Sequence, residues 1–460
     1  MINLLRNFPK LCKLLYAISK SQILHYPGQF KLPTPLRVFG RICSLFLYPK
    51  GFIFQPQKSF GMRLTDCFYN LGPIYIKFGQ VLSTRPDLIS FEVAESLKLL
   101  QDKLPAFDSK IVRARIEERF GQKILDIFDD FNDVPVAAAS IAQVHKARLQ
   151  SGEIVAIKIL RPGIVEKYNN DIHFLEYIAV LVSRMFKKIE RLKPREVIAV
   201  FRQSMKFELD LRLEAAAASR IYDNFIDDKT LCVPKIYWQL TAGDIITLEW
   251  IEGVSIYDKD KIIKLGFDPK DIAAKIAVIF LNQAYRDGFF HADLHPGNIL
   301  VCPDGKVALI DFGIIGTLPE DDRLAIAEIL YAFLKRDYHL VAEMHGRIGY
   351  IPKDTNLEHF SQSCRAIAEP IMGYAVKDIS IGNLLAQLFK ITEEFGMETQ
   401  PQLLLLQKSM VVVEGIGQSL DAEMNMWQLA EPWIKKWAAK NLSSEAKLLR
   451  FIKKLFDNLS

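Results

Sequence analysis

The stretch that most constrains this chain is HADLHPGNILVCPDGKVALIDFG, residues 291–313. Apolar runs flank Asp304-Gly305, a dipeptide that favours a tight turn, so the sequence predicts an antiparallel hairpin there. Asp293, Asn298 and Asp311 stand at spacings of 5 and 13 around that hairpin. Two carboxylates and an amide at the ends of short strands are oxygen donors suited to Mg²⁺. Phosphoryl transfer needs such a metal and one Asp beside the attacking hydroxyl. Turn and capping roles are the structural alternative, and three matches in one register speak against it.

These spacings resemble the protein-kinase catalytic loop followed by its Asp-Phe-Gly metal site. Upstream, VAIK at 155–158 puts Lys158 at the end of a predicted strand, where an ammonium can reach nucleotide phosphates. AAASIAQV, residues 137–144, keeps the frame of the kinase phosphate loop, with Ala137, Ala139 and Ala142 in place of its glycines and Val144 retained. Each added methyl restricts the backbone, so Val136, Ala137, Ala138, Ala139, Ser140, Ile141, Ala142, Gln143 and Val144 are expected to form a stiff phosphate loop. Taken alone the run reads as strand packing, and Lys158, 14 residues beyond Val144, reverses that preference. A long helix predicted over 194–226 carries Glu208, Asp210 and Glu214, with Asp210 and Glu214 four apart on one face. Glu214 is the expected partner of Lys158.

The chain's 460 residues, 50% hydrophobic and 25% charged, suffice for two or three domains with real cores and exclude a disordered or disulfide-stapled chain. Its six cysteines show no close pairing or metal-ligand spacing, which fits reduced thiols in a cytosolic compartment. The net charge of +5 is unevenly spread. Residues 1–65 hold ten Lys or Arg and no acid, and residues 434–460 seven against two, which leaves the body between them at −10. No apolar run approaches the roughly 20 residues that span a bilayer. MINLLRNFPKLCKLLYAISK, residues 1–20, predicts a basic amphipathic helix suited to an anionic membrane surface. Packing on the body is the alternative. The segment lacks the apolar core and cleavage site of a secretory signal. Basic ends without an aromatic platform argue against nucleic acid as a partner.

GPIYIKFGQVLSTRPDLI, residues 72–89, adds Lys77, Gly79 and Gln80 within one helical turn. With Lys77-Phe-Gly-Gln80, the Ala-rich loop, Glu208-Leu-Asp210 and the Asp293, Asn298, Asp311 set, the chain over roughly residues 60–430 resembles the UbiB family of atypical kinases. Ordinary kinases lack the first three markers. The resemblance implies ATP or ADP with Mg²⁺ as ligands, and Lys77 meeting Glu208 or Asp210 to occlude the substrate cleft. It implies ATPase behaviour coupled to lipids, in support of ubiquinone biosynthesis on polyprenyl phenol or quinone precursors, alongside other proteins of that process. Only Ile314 to Leu318 separate Gly313 from Pro319, where Thr317-Leu-Pro-Glu320 predicts a capping box, so no long activation segment is expected. Bacterial family members continue into C-terminal spanning helices. Here Trp433, Trp437, Leu448, Phe451, Ile452 and Leu455 interleave with Lys and Arg, which fits an interfacial helix.

The expectation is an α+β, atypical protein-kinase-like bilobal fold with a helical N-terminal extension. Residues 1–60 are read as a basic membrane-surface segment and linker, 61–130 as the extension, 131–255 as an N-lobe, 256–430 as a C-lobe and 431–460 as a basic tail. Lys158 and Glu214 are expected to orient phosphates, Asn298 and Asp311 to hold Mg²⁺, and Asp293 to orient the attacking water or hydroxyl. The expected setting is peripheral, at the cytoplasmic face of a bacterial inner membrane, with membrane lipids as partners and no transmembrane helix. A small-molecule or lipid kinase and a nucleotide-binding scaffold of the biosynthetic complex are the competing readings.

Overall fold

A computed structural model of the chain describes residues 2–23, 34–48, 58–83, 89–100, 105–185, 194–372, 394–397, 401–424 and 426–441. Residues 24–33 and 49–57 of the expected linker and the tail residues Leu448, Phe451, Ile452 and Leu455 lie outside the described residues. Two compact units form, residues 1–215 with 236–250 and residues 216–235 with 251–460.

The first unit begins with helices α1 (Ile2–Ser21), α2 (Thr34–Leu47), α3 (Phe60–Leu71), α4 (Pro73–Ser83), α5 (Phe91–Leu97), α6 (Ser109–Phe120) and α7 (Ile124–Ile127). The basic helix α1 packs on the body through three of its lysines. Lys10 pairs with Asp171 at 2.7 Å, and Lys13 and Lys20 donate to Leu71 O and Asn70 Oδ1. Buried Arg63 fastens the end of that helix by donating to Gln22 Oε1 at 2.9 Å.

A five-stranded antiparallel sheet follows, with β1 (Phe128–Phe131), β2 (Ala137–Ala138), β3 (Ala142–Leu149), β4 (Ile154–Leu160) and, from the far end of the unit, β6 (Ile245–Glu249). Its order is β1-β3-β4-β6, and β2 pairs with β3. In β4 the alternate residues Val155, Ile157 and Ile159 are buried in a core shared with Val112 and Ile116 of α6. Strand alternation puts Lys158 on the opposite face.

Helices α8 (Ile164–Met185), α9 (Pro194–Glu208) and α10 (Leu211–Asn224) come next. The single helix predicted over 194–226 is therefore two. The break falls at Asp210, whose Oδ1 accepts the Arg212 backbone N–H at 3.2 Å while Leu211 N–H leaves the helix for Gly243 O. A short acidic side chain that captures a nearby amide caps a helix more readily than it continues one.

In the second unit β5 (Leu231–Cys232), β7 (Val254–Ser255), β9 (Ile299–Val301) and β10 (Val307–Leu309) form a sheet ordered β5-β10-β9-β7, and β8 (Phe289–His291) pairs with β11 (Ile315–Thr317). The hairpin expected at Asp304-Gly305 is β9-β10, with Val301 opposite Val307. Gly305 has φ +77°, and a Cβ there would lie 2.6 Å from the Phe267 ring, so both conformation and space require glycine. Helices α11 (Lys259–Lys264), α12 (Pro269–Leu281), α13 (Glu320–Leu334), α14 (Tyr338–Arg347), α15 (Leu357–Met372), α16 (Pro401–Leu420) and α17 (Met426–Asn441) complete it. Phe333, Val341, Phe360 and Cys364 centre the core of α13 to α15.

The predicted capping box does not form. Helix α13 opens at Glu320, but Thr317 is paired with Phe289 in the β8-β11 ribbon, and Pro319 at the cap offers no side-chain acceptor. Three acids in its first turn, Glu320, Asp321 and Asp322, complement the helix dipole instead. Trp433 and Trp437, expected at a membrane interface, stack on each other in α17, and Trp433 Nε1 donates to Asn282 Oδ1 at 2.8 Å. Among the described residues no helix is long and apolar enough to cross a membrane.

Candidate functional site

In the first unit, Lys158 Nζ donates to both oxygens of Glu214, at 2.8 and 2.9 Å. Glu214 is buried in the first turn of α10, so the strand and the helix fix the ammonium between them. The loop ahead of the strand splits into two parts. Ile141, Ala142 and Gln143 turn inward, and the Gln143 side chain is held by both backbone groups of Phe107. Ser140 is buried with no hydrogen bond to its hydroxyl. Surface remains on Val136, Ala137, Ala138, Ala139 and Val144. None of these residues has positive φ, so the alanines occupy a backbone that needs no glycine. Arg161 clamps the turn by donating Nε and Nη2 to Ala139 O, at 3.1 and 2.8 Å.

The Lys77 motif occupies α4. Lys77 Nζ lies 2.8 Å from Glu208 Oε2, with both side chains largely buried. Asp210, the other acid the resemblance offered, is gripped by Arg212 at 2.9 and 2.7 Å, and that guanidinium holds its carboxyl below the usual range. The rest of the motif is structural. Phe78 packs between the tilted rings of Phe68 and Phe201, Gly79 allows Leu100 to approach within 2.2 Å of where a Cβ would stand, and Gln80 donates to Leu100 O.

In the second unit a residue that sequence reasoning gave no role, His291, joins two of the expected ones. Its Nδ1 accepts the Asp293 backbone N–H at 3.1 Å and its Nε2 donates to Asp311 O. An amide only donates and a carbonyl only accepts, so the two partners fix a neutral tautomer, and burial pushes its pKa down in the same sense. The signal was its place two residues before Asp293. Asn298 Nδ2 donates to Asp293 O at 3.4 Å, and the amide oxygen is the atom of that side chain that could serve as a ligand. Asp311 Oδ1 accepts Gly313 N–H at 3.0 Å.

Lys408, from α16, reaches Asp293 Oδ1 at 3.0 Å. No local pattern marks it, because 115 residues separate the partners. Among the described residues no group of three or more His, Cys, Asp or Glu is poised to hold a metal. One amide and one or two carboxylates suit Mg²⁺ whose remaining ligands are waters and phosphate oxygens. The six cysteines are thiols, and burial raises those of Cys67 and Cys364 to about 12.

The ABC1 atypical kinase-like domain family matches residues 99–345, and the UbiB helical domain family matches residues 364–425. Over 416 residues the chain is 41% identical to a Marinobacter nauticus protein named "Probable protein kinase UbiB", covering 90% of this chain and 75% of that one. The chain belongs to the UbiB family. Its kinase-like fold is similar to that of a Mycobacterium tuberculosis protein, Rv3197, solved as a complex with erythromycin. That likeness has a TM-score of 0.50 and 26% identity over 77% of this chain and 90% of the other. Within the UbiB framework, Lys158, Glu214, Asp293, Asn298 and Asp311 fall in the kinase-like match, Lys77 precedes it, and Lys408 falls in the helical-domain match. The Asp293–Lys408 ion pair thus ties one matched domain to the other.

Proposed function

We propose that this UbiB-family chain is an atypical ATP-dependent phosphoryl-transfer enzyme that supports ubiquinone biosynthesis at a membrane. The Lys158–Glu214 pair carries the reading, since an ammonium held by both oxygens of a buried carboxylate is pre-organised for phosphate. In this reading Lys158, braced by Glu214, orients the α- and β-phosphates of ATP, which the exposed part of the Ala-rich loop covers. Asn298 and Asp311 hold Mg²⁺, which neutralises charge on the transferred group. Asp293 orients the attacking water or hydroxyl, and His291 links its backbone N–H to the backbone carbonyl of Asp311. The Lys77–Glu208 pair restrains access to the acceptor side. Polyprenyl phenol or quinone precursors and membrane lipids are the proposed partners, at the cytoplasmic face of the membrane, together with other ubiquinone-biosynthesis proteins. Purified protein with liposomes and a phenolic lipid should release phosphate from ATP, and Asp311→Asn should abolish that release. Equal rates in the two proteins would sink the assignment.

A second reading is a kinase acting on a small-molecule or lipid hydroxyl. Residues 315–317 are committed to pairing with β8, and α13 begins directly after Pro319, which leaves no long segment to receive a protein substrate. The relative solved with erythromycin accommodates a small molecule. Label from γ-phosphate recovered in an extracted lipid or metabolite, in place of free phosphate, would favour this reading.

A further inference from the structure

Helices α8 and α9 leave between them a cavity of about 780 Å³, and the proposed phosphoryl transfer uses none of the residues that line it. Small side chains keep it open, since Ala179 on α8 and Ala199 on α9 stand where larger ones would fill the space. Buried Ala179 and Ile198 and half-buried Val180 make its floor apolar, and Phe207, 52% exposed, forms part of its wall. Charge enters from one stripe of α9, where Arg195, Arg202 and Lys206 line the cavity at positions i, i+7 and i+11. Arg202 is neutralised by Glu176 of α8, which lines the cavity as well. Arg195 and Lys206 are exposed and have no hydrogen-bond or ion-pair partner among the described residues. Two uncompensated cations therefore remain, one on either side of Ile198 and Ala199 along the helix, roughly 16 Å apart.

We infer that the groove between α8 and α9 binds an anionic amphiphile, a hydrocarbon chain that ends in a phosphate or carboxylate. A groove of this volume is the size of a small-ligand site. Its apolar floor favours a hydrocarbon over water, and the cation at each end favours an anionic head over a neutral or positive one. An inorganic anion gains nothing from the floor, and a plain hydrocarbon gains nothing from the cations. In this arrangement the chain lies on Ala179, Val180, Ile198 and Ala199, and the head meets Arg195 or Lys206 where the floor ends. Every residue named lies in the first compact unit, and the site stands apart from the phosphoryl-transfer reading.

The test titrates the full-length chain, without nucleotide, with monomeric dodecyl phosphate in a calorimeter. Wild type should bind it at a single site, and should bind inorganic phosphate or dodecyl trimethylammonium about tenfold more weakly or worse. Arg195→Glu with Lys206→Glu should weaken dodecyl phosphate about tenfold or more, with an unchanged melting temperature because both side chains are exposed and unpartnered. Ala199→Trp, which fills the apolar section from an exposed position, should weaken it to a similar degree. Lys259→Glu with Lys264→Glu, the same change of charge at exposed positions on α11, should bind as wild type. Equal loss in that control would assign binding to overall charge, and equal affinity for inorganic phosphate would remove the apolar floor from the site; either overturns the inference. So does a wild type that binds no dodecyl phosphate, or a dimer in light scattering that Arg195→Glu with Lys206→Glu dissolves, which would give the groove to a second copy. Competition by phosphatidylglycerol vesicles would identify a membrane lipid as the source of the head, and undisturbed binding a free amphiphile, and each supports the site. ATP turnover enters none of these readouts, so failure of the phosphoryl-transfer reading leaves the outcome untouched.

Discussion

His145 shows how a single buried side chain sets a pH limit. Its Nδ1 donates to Asn132 O and its Nε2 faces Gln143 Nε2, both at 2.8 Å. Gln143 cannot turn its oxygen toward the ring without losing Phe107 N–H, so the imidazole must accept and stay neutral. Burial accordingly pushes its pKa below the usual 6.5, as it does for His291 and His345. A base whose folded pKa is depressed stabilises the fold fully above 6.5 and loses that contribution as pH falls, because only the unfolded chain then takes the proton. Urea unfolding at about pH 7.5 and about pH 5.5 should show the protein weaker in acid, by up to roughly 1.4 kcal/mol per histidine and pH unit. His145→Phe should cost about 1–3 kcal/mol at the higher pH through the stranded Gln143 amide, and should flatten the pH dependence. Equal slopes would show that His145 takes its proton in the fold. At the same scale, Lys408→Ala removes the cation beside Asp293 and should lower ATP turnover about tenfold or more while Lys408→Arg restores part of it. An unchanged kcat in Lys408→Ala would confine that lysine to packing.

At the scale of elements, what a local pattern can encode was legible in the sequence. The Asp304-Gly305 hairpin and the β4 strand with Lys158 on its polar face follow from turn chemistry and alternation. What depended on competition between local and distant partners was not. Asp210 reads as one more residue on a helix face until Gly243 O takes the next amide and makes it a cap. Thr317 reads as a helix cap until β8 claims it. The protein partners of the α1 lysines are equally hidden, because Asp171 and Leu71 O lie far along the chain. Gly79 reverses the case, since nothing in the motif reveals that its lack of a side chain serves packing of α4 on Leu100 and Phe68. A Cβ there would meet Leu100 Cδ1 at 2.2 Å and Phe68 Cδ2 at 2.7 Å. Gly79→Ala should therefore destabilise by about 1–3 kcal/mol in thermal or urea melts. Leu100→Ala, harmful alone, should recover part of that loss in the double variant, and strict additivity would argue that the two residues do not meet.

At the scale of the whole molecule, the proposed roles draw on both compact units, with Lys158 and Glu214 in the first and Asp293, Asn298 and Asp311 in the second. That division makes a prediction about ligand-linked stability that activity alone would not. A ligand that binds only the folded chain raises its stability by about 2.7 kcal/mol at a hundredfold excess over Kd. ATP with Mg²⁺ should thus raise the melting temperature of the wild type, and ATP with a chelator should raise it less. Lys158→Ala removes the cation for the phosphates and should erase both shifts, although its own strand and core remain intact. Asp311→Asn removes a negative oxygen from the metal set and leaves Lys158 and Glu214 untouched, so it should keep the shift seen with chelator and lose the increment due to Mg²⁺. The two variants therefore fail in different ways if the first unit serves phosphate and the second serves metal. A Mg²⁺ increment that survives in Asp311→Asn would move the metal off that carboxylate, and a full ATP shift in Lys158→Ala would leave its pairing with Glu214 a purely structural ion pair.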